Sequence, residues 1–335
     1  MQQRPLGRTG RDVSAIGLGT WQLGADWGNV SEDDAIAVLA ASADRGVTLF
    51  DTADVYGDGR SERLIGRFLG ERPGHGVTVA TKMGRRMEQD PQNYTPENFR
   101  VWTDRSRTNL GVDTLDLLQL HCPPTAVIEA DATYDALDAL VADGTIGAYG
   151  VSVETCAQAL AAIARPNVNN IQIIFNPFRL KPLDEVLPAA EAAQVAIFAR
   201  VPLASGLLSG KYSASTTFAD NDHRTYNREG EAFDKGETFS GVDFATGLDA
   251  VAALSGALPE GVSLPAATLA WIASQPGVTT VIPGARSVAQ AESNADAGAL
   301  LDGAVSAAGF DVAAFGVVVR EVYDRLLKDS IHPQW

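Results

Sequence analysis

Short apolar runs alternate with longer amphipathic stretches along almost the whole chain. Runs with apolar residues at successive positions are typical of parallel β-strands whose two faces are both buried. The stretches between them carry apolar residues at helical spacing, as in residues 31–46 and 95–111. The eight apolar runs are VSAIGLGT, VTLFDTA, VTVATK, TLDLLQLH, IGAYGVSV, NIQIIFN, VAIFARVPL and VTTVIPGA. Eight strands that alternate with helices predict an α/β fold, a (β/α)8 TIM barrel.

Three segments fall outside this repeat. The N-terminal RPLGRTGRDVSAI has two short strand signals around a glycine-containing turn, which predicts a hairpin. Residues 206–246, after the seventh strand, are polar and too long for a plain connection, which indicates a long functional loop. Residues 309–330 predict an extra C-terminal helix. A doubly wound sheet is the rival fold, but the number of strands and the lack of G-x-G-x-x-G after the first one argue against it. We therefore expect a single barrel domain over residues 1–335.

Composition restricts the classes of partner. The chain has 335 residues and a net charge of −16, which argues against a general affinity for nucleic acid or for an anionic membrane. Two cysteines are too few for a disulfide framework or a cysteine-rich metal site, and the four histidines show no metal-ligand spacing. There is no apolar run of about 18 residues and no signal-peptide pattern at the start. We expect a soluble cytoplasmic protein without a metal.

Polar residues stand at the ends of three neighbouring strands. Asp51 ends the second strand, Lys82 the third and His121 the fourth, and Tyr56 lies five residues beyond Asp51. Each alone has an ordinary interpretation, such as a helix cap for the aspartate or a core position for the histidine. In a TIM barrel, however, the C-terminal strand ends form the active site. Together these four residues therefore predict a catalytic site.

The residue types suggest a reaction. Only five of the 26 basic residues are lysines, so a lysine at a strand end indicates a need for a compact ammonium with a tunable pKa. Tyrosine has an ordinary pKa near ~10, and an adjacent ammonium held by Asp51 should lower the pKa of Tyr56. His121 can donate a hydrogen bond to a carbonyl oxygen. Tyr56 would then protonate that oxygen while a hydride reaches the carbon, and general acid catalysis of this kind contributes ~10²–10⁴-fold.

A series of motifs resembles the aldo-keto reductase superfamily over essentially the whole chain. The motifs are GLGTW (17–21), FDTADVYG (50–57), TK (81–82), LLQLH (117–121), YGVS (149–152), PLASGLLSGKY (202–212) and IPGARSVAQAESN (282–294). The resemblance implies a (β/α)8 barrel that uses NADPH/NADP+ to reduce aldehydes and ketones. It implies that Asp51, Tyr56, Lys82 and His121 are the family's catalytic tetrad. It also places Trp21 in the substrate pocket, with Tyr56 and His121.

The resemblance further implies a cofactor site. Ser152 and Gln172 would hold the nicotinamide carboxamide, although Val153 stands where the family has an asparagine. The loop 202–212 would bind the pyrophosphate, and Arg286 the 2′-phosphate, at a helix N-terminus that favours anions. The implied cofactor-binding residues are Thr20, Trp21, Asp51, Ser152, Gln172, Arg200, Pro202, Leu203, Ser205, Gly206, Leu208, Gly210, Lys211, Gly284, Arg286, Gln290 and Asn294.

Arg200 stands where relatives usually have an aromatic residue that stacks on the nicotinamide. A guanidinium plane can also stack on a ring, and the alternative is an ion pair with a carboxylate across the barrel mouth. Trp27, Phe178 and Arg179 are further candidates for the mouth. The insertion 221–241 mixes charged and aromatic residues and could close over cofactor or substrate.

Three functions stay open at this point. The leading hypothesis is an NADPH-dependent carbonyl reductase. The second is the same tetrad running the reverse reaction, as an NAD(P)+-dependent dehydrogenase of a sugar or other polyol. The third is a non-catalytic NADPH-binding regulatory subunit. We expect a small-molecule carbonyl or sugar-like substrate and neither nucleic acid nor membrane as a partner, while assembly into a homo-oligomer stays open.

Overall fold

A computed structural model describes residues 1–24, 30–220, 222–301 and 309–335 of the chain. The strands are β1 (Gln3–Pro5), β2 (Asp12–Ser14), β3 (Leu18–Gly19), β4 (Leu49–Asp51), β5 (Thr78–Met83), β6 (Leu117–His121), β7 (Tyr149–Ser152), β8 (Val168–Ile174), β9 (Ala196–Arg200) and β10 (Val278–Val281). The helices are α1 (Glu32–Asp44), α2 (Arg60–Glu71), α3 (Pro96–Leu110), α4 (Thr125–Glu129), α5 (Asp131–Ala142), α6 (Cys156–Ile163), α7 (Val186–Ala193), α8 (His223–Tyr226), α9 (Phe244–Gly256), α10 (Leu264–Ser274), α11 (Val288–Asp296), α12 (Val312–Leu326) and α13 (Lys328–Ile331).

Strands β3 to β10 form one parallel sheet in sequence order. The sheet closes on itself, because parallel bridges join Ile16 to Val281 and Gly19 to Gly284, beside β3 and β10. Helices alternate with these strands along the chain. This is the (β/α)8 TIM barrel that the sequence predicts, with β3 to β10 as its eight strands.

The local sequence explains where helices begin. Ser31, Thr95 and Thr155 each have an extended backbone, and each side-chain oxygen accepts a hydrogen bond from an N–H of the first helical turn. Such caps satisfy backbone donors that would otherwise lack partners at a helix start. All residues of the central strands β5 and β6 are buried, as expected for strands covered on both faces.

The segments outside the repeat follow the prediction with two differences. Strands β1 and β2 form the expected antiparallel hairpin, and α12 lies in the expected C-terminal segment. The first apolar run is divided, however, because its first residues belong to β2 and only Leu18–Gly19 belong to the barrel. Helix α9 was not expected, although Asp243 gives it a capping signal by accepting from the N–H of Thr246. In the described part of the chain, we find no helix that combines the length and apolarity of a membrane span.

Candidate active site

Two cavities lie at the C-terminal ends of the barrel strands. The first, which we term the strand-end cleft, has a volume of about 570 Å³ and extends to the start of α11. The second, which we term the insertion cavity, has a volume of about 690 Å³ and is walled partly by residues 226–237. The two cavities share five lining residues: Trp21, Tyr56, His121, Cys122 and Glu237. The two cavities therefore adjoin beside Tyr56 and His121.

A buried ion pair lies beneath this junction. The Lys82 Nζ is 2.5 Å from Asp51 Oδ1, and both side chains are almost fully buried. The ammonium also donates to the Thr52 carbonyl at 2.9 Å and to the Tyr56 hydroxyl at 3.4 Å. The pKa of Lys82 is raised, because attraction to Asp51 and Tyr56 outweighs the opposing effect of burial. Lys82 is therefore a fixed positive charge beside the Tyr56 oxygen.

The second carboxylate oxygen of Asp51 is held by amides. Gln172 donates to Asp51 Oδ2 at 2.7 Å, and Gln119 donates to it at 3.2 Å. Asn170 in turn donates to Gln119 Oε1 at 2.9 Å. These residues lie on β6 and β8, so four strands contribute to the support of one ion pair. Gln119 and Asn170 were not expected in the site: each is a polar residue within an apolar run, but that signal does not show which group it contacts.

The pKa of Tyr56 differs from the prediction. Burial raises it above the ordinary value of tyrosine, Lys82 opposes that rise, and Asp51 and Glu237 add to it. The predicted lowering is thus wrong in its net direction, although the contribution of Lys82 has the expected sign. The sequence shows which charges are near but not how much water is excluded. Tyr56 consequently keeps its proton at neutral pH, which is the form a proton donor requires.

His121 lies across from Tyr56 and is neutral. The two ring centroids are 5.9 Å apart with nearly perpendicular planes. Burial lowers the pKa of His121 well below its ordinary value, and the positive charges of Arg85, Lys82 and Arg200 lower it further. Its Nδ1 atom has no hydrogen-bond partner among the described residues. A neutral imidazole here can donate one hydrogen bond, as predicted, but does not contribute a charge.

Trp21 borders the same junction. Its ring stacks on that of Tyr56 at 5.9 Å and contacts Phe233 of the insertion edge-on at 6.1 Å. Phe178 and Arg179 follow β8 at the C-terminal end of the barrel, and Arg179 donates to the Glu154 carbonyl at 3.0 Å, but both side chains are buried and line neither cavity. Trp27 lies outside the described residues.

Most of the residues proposed from the sequence for the cofactor do line the strand-end cleft. They are Thr20, Trp21, Asp51, Ser152, Gln172, Arg200, Pro202, Leu203, Ser205, Gly206, Lys211, Gly284, Arg286, Gln290 and Asn294. Leu208 and Gly210 do not line it, and the side chain of Leu208 is fully buried in the core. For these two residues the structure supports a role in shaping the loop rather than a contact within the cleft.

The loop after β9 holds an unusual backbone conformation. Val201, Ala204 and Ser205 have φ angles of 53°, 46° and 53°, in a region that residues other than glycine rarely adopt. Gly206, with a φ of 92°, suits this backbone, and a side chain at this position would also have to displace the Tyr212 hydroxyl. Backbone strain of this kind concentrates at ligand-binding sites. The loop therefore presents main-chain groups to the cleft at an energetic cost.

Two cations near the far end of the cleft are not neutralised. Lys211 and Arg286 line the cleft and form no ion pair with any described residue. Arg286 directly precedes Ser287, the N-cap of α11, whose side chain accepts from the N–H of Gln290. The Gln290 side chain accepts from the Arg286 N–H at 2.8 Å, and Asn294 donates to the Gly284 carbonyl at 3.1 Å. An exposed cation beside a helix N-terminus is suited to bind a phosphate.

Arg200 belongs to a network of buried charges that is larger than the single ion pair expected as one of its two interpretations. Its guanidinium is 2.7 Å from Glu154 and 3.6 Å from Glu237. Arg85 lies 3.0 Å from Glu237 and 3.3 Å from Glu154, so the four side chains form a closed ring of ion pairs. Of the two interpretations of Arg200, the structure shows the ion pair across the barrel mouth.

The same network contains a group of potential metal ligands. Ligand atoms of Cys122, Glu154 and Glu237 lie within 4.8 Å of one another. Both carboxylates are already paired with guanidinium groups, and burial raises the pKa of the Cys122 thiol to about 12. A metal would require a thiolate and would have to displace those guanidinium groups, so this donor set is poorly suited to one. That the protein uses no metal stays a prediction.

Comparison with known proteins identifies the family. The sequence profile of the aldo/keto reductase family matches residues 15–305. The protein belongs to the aldo-keto reductase family. The resemblance drawn from the sequence motifs is thereby confirmed, and the protein is an oxidoreductase.

This aldo-keto reductase is similar in sequence to named relatives and in fold to solved structures. It is 30% identical to the aldo-keto reductase YhdN of Bacillus subtilis, and the match covers 87% of each chain. It is also 30% identical to the aldo-keto reductase yakc [NADP(+)] of Schizosaccharomyces pombe, over 87% of this chain and 85% of that one. The structure of the glycerol dehydrogenase AKR11B4 from Gluconobacter oxydans superimposes with a TM-score of 0.76 and 28% identity, covering 99% of this chain and 98% of that one. These comparisons agree with the barrel and leave the substrate of this chain open.

Proposed function

We propose that the protein is an NADPH-dependent oxidoreductase that reduces an aldehyde or ketone to an alcohol, with Tyr56 as the proton donor. The observation that carries the proposal is the position of the Tyr56 hydroxyl, 3.4 Å from a buried ammonium and at the junction of the two cavities. A neutral His121 lies beside it. A carbonyl group placed at this junction would meet both a proton donor and a hydrogen-bond donor.

The residues of the strand-end cleft fit a dinucleotide phosphate. The cleft runs from the junction at Tyr56 to the unpaired Lys211 and Arg286, past the strained loop that contains Gly206. Yakc of Schizosaccharomyces pombe carries NADP(+) in its name. When bound, NADPH supplies a hydride to the carbonyl carbon. Ser152 and Gln172 would orient the nicotinamide, and Arg286 with Gln290 and Asn294 would hold the adenosine end.

Each of the four proposed catalytic residues would have a separate role in binding the carbonyl group and protonating it. His121 donates a hydrogen bond to the carbonyl oxygen and orients the substrate. As the carbon–oxygen π electrons move onto the oxygen, Tyr56 donates its proton there and becomes a phenolate. Lys82 stabilises that phenolate, and Asp51 holds the ammonium in position through the 2.5 Å ion pair. Solvent then restores the proton of Tyr56.

Oxidation of a sugar or polyol with NAD(P)+ is the second candidate. It uses the same groups in reverse, with Tyr56 accepting the proton. The insertion cavity is lined by Gln89, Glu154, Gln158 and Asp234, which can hydrogen-bond hydroxyl groups. Two relatives have names of this kind: the glycerol dehydrogenase from Gluconobacter oxydans and, at 28% identity over 60% of this chain and 69% of that one, a D-threo-aldose 1-dehydrogenase of a Pseudomonas species. The third candidate, a non-catalytic subunit, is less favoured because the tetrad geometry is complete.

One assay separates these functions. The absorbance of the reduced nicotinamide is followed with NADPH and a panel of aldehydes, ketones and aldoses, and with NADP+ or NAD+ and a panel of polyols and sugars. The proposal predicts faster turnover with NADPH and a carbonyl compound. Turnover confined to oxidised cofactor and polyols would support the second candidate, and cofactor binding without any turnover would support the third.

Replacing Arg286 should change cofactor selectivity. The 2′-phosphate is a dianion, and a charge-assisted hydrogen bond is stronger than a neutral one. We expect Arg286→Ala to weaken NADPH binding by about 1.5–3 kcal/mol and to leave NADH binding almost unchanged. Fluorescence titration gives both dissociation constants.

Lys211→Ala is the matched control for that prediction. Lys211 is a second unpaired cation of the same cleft, and the proposal places it at the pyrophosphate, which both cofactors share. Its removal should weaken NADPH and NADH by similar factors. An equal loss of both cofactors on Arg286→Ala would refute a role at the 2′-phosphate.

Arg200 gives a prediction about the redox state of the bound cofactor. Stacking on the nicotinamide stays a prediction, and the pairing with Glu154 reduces the net charge that a ring would meet. Any positive charge that remains at Arg200 should disfavour the oxidised nicotinamide ring, which is a cation. Arg200→Tyr should therefore strengthen the binding of NADP+ relative to NADPH. The ratio of the two dissociation constants in wild type and variant measures this effect. An unchanged ratio would leave Arg200 with its ion-pair role alone.

A further inference from the structure

The insertion cavity has an unusual balance of charge. Its charged lining residues are one guanidinium, Arg85, and three carboxylates, Glu154, Asp234 and Glu237. Arg200 lines the strand-end cleft rather than this cavity, and its guanidinium pairs with Glu154. His121, which also lines the cavity, is neutral. Among the residues that line the cavity, carboxylates outnumber cations by three to one; Arg200 and Arg179 partly offset these carboxylates from outside it.

The guanidinium that lines this cavity, that of Arg85, is already bound to carboxylates of the protein. The Arg85 guanidinium donates to Glu237 Oε1 at 3.0 Å and to Glu154 Oε1 at 3.3 Å, one bond from each terminal nitrogen. The Glu237 side chain is only 6% exposed, so water screens this pair weakly. An anionic group that entered the cavity would lose its hydration, find no free cation and approach three carboxylates.

Glu237 is held in this position by the cofactor side of the site. The Ser205 hydroxyl, in the strained loop after β9, donates to the Glu237 carbonyl at 2.9 Å and accepts from the Phe239 N–H at 3.1 Å. These two bonds fix the backbone at residue 237 and two residues beyond it, which places the Glu237 carboxylate at Arg85. The position of Glu237 is a built feature of the pocket rather than a surface contact.

We propose that Glu237 is a specificity-determining residue that occupies Arg85 and so excludes carbonyl substrates bearing a carboxylate. This inference rests on the proposed function, since it assigns the insertion cavity to the substrate. The substrate class that follows is a neutral carbonyl compound. Removing the charge of Glu237 frees one face of the Arg85 guanidinium, which can then bind a carboxylate through charge-assisted hydrogen bonds.

The test compares two aldehydes of nearly equal shape that differ in charge. Para-carboxybenzaldehyde is an anion, and para-formylbenzamide is its neutral isostere; the meta isomers form a second pair, which places the charge at a different distance from the reacting carbon. We expect wild type to prefer the amide by at least about 30-fold in kcat/KM, and Glu237→Gln to shift the ratio towards the acid by about tenfold or more. Binding of the two alcohol products, measured by calorimetry, should shift in the same sense without any turnover.

Two further variants isolate the cause. Glu229 is an exposed carboxylate of the same insertion that pairs with Lys235 and lines neither cavity. Glu229→Gln therefore changes the net charge of the protein as much as Glu237→Gln does, and it should leave the acid-to-amide ratio of kcat/KM unchanged. Arg85→Gln/Glu237→Gln should lose the gain of the single variant, because the freed guanidinium is gone.

The outcomes are distinct. Equal kcat/KM for acid and amide in wild type would overturn the inference, even if Glu237→Gln failed to fold, and so would an unchanged ratio in a folded Glu237→Gln. A shift of the same size in Glu229→Gln would assign the effect to overall charge and would also overturn it. Absence of turnover with every neutral aldehyde would instead refute the proposed function.

Discussion

Tyr56→Phe should lower kcat for carbonyl reduction by at least ~10²-fold, because it removes the only proton donor proposed for the substrate oxygen. The ring stays in place, so its stacking on Trp21 and its position at the junction should be retained. The dissociation constant of NADPH should therefore stay nearly the same. Steady-state kinetics with a neutral aldehyde and fluorescence titration with NADPH measure the two quantities separately.

Tyr134→Phe is a suitable control for that substitution. It also removes a buried phenol hydroxyl, one that donates to the Ile128 carbonyl at 2.8 Å and lines neither cavity. Its kcat should stay within about twofold of wild type, since the loss of a single buried hydrogen bond acts on stability rather than on turnover. Near-normal turnover of Tyr56→Phe would refute Tyr56 as the proton donor.

Lys82→Met should lower the free energy of unfolding by about 3–5 kcal/mol, because it leaves a buried carboxylate without its counter-ion. Asp51 would keep the hydrogen bonds from Gln119 and Gln172, but these are neutral donors and replace only part of the attraction. The Thr52 carbonyl would lose its partner as well. Denaturant unfolding followed by circular dichroism gives the change.

The double variant Asp51→Asn/Lys82→Met tests whether an unpaired charge causes that loss. With both charges removed, the stability should recover by about 2 kcal/mol or more relative to Lys82→Met, since neutral replacement of a buried ion pair is far less costly than breaking it. Turnover should stay low, because the tyrosine phenolate would no longer be stabilised. If the stability losses of the single variants Asp51→Asn and Lys82→Met simply add in the double variant, the result would contradict a coupled pair.

The tetrad could be predicted from sequence because a parallel barrel aligns strand ends. Asp51 ends β4 and His121 ends β6, and Lys82 is the penultimate residue of β5 between them. The direction of the chain therefore brings these side chains to the same end of the barrel without any knowledge of the loops. The alternation of apolar runs with helices predicts the closed sheet, and two strand signals around a glycine-containing turn predict the hairpin.

The charged network could not be predicted in this way. Arg85 and Glu237 are separated by 152 residues, and they meet only because the insertion folds back over the barrel mouth. No local pattern encodes such a contact, so Arg85, Glu154 and Glu237 were absent from the sequence-based site. The pKa of Tyr56 was misjudged for a related reason, since burial depends on the surrounding loops as well as on the strand that positions Lys82.

Transfer of a hydride from NADPH to a carbonyl carbon is the central claim, and isotope labelling tests it directly. NADPH deuterated at both hydrogens of the reactive ring carbon is incubated with the protein and a neutral aldehyde, and the alcohol is analysed by mass spectrometry. The account predicts an alcohol with a single deuterium, on the carbon that carried the carbonyl oxygen, formed in amounts equal to the NADPH consumed. Consumption of NADPH without any alcohol, or an alcohol without deuterium on that carbon, would contradict it.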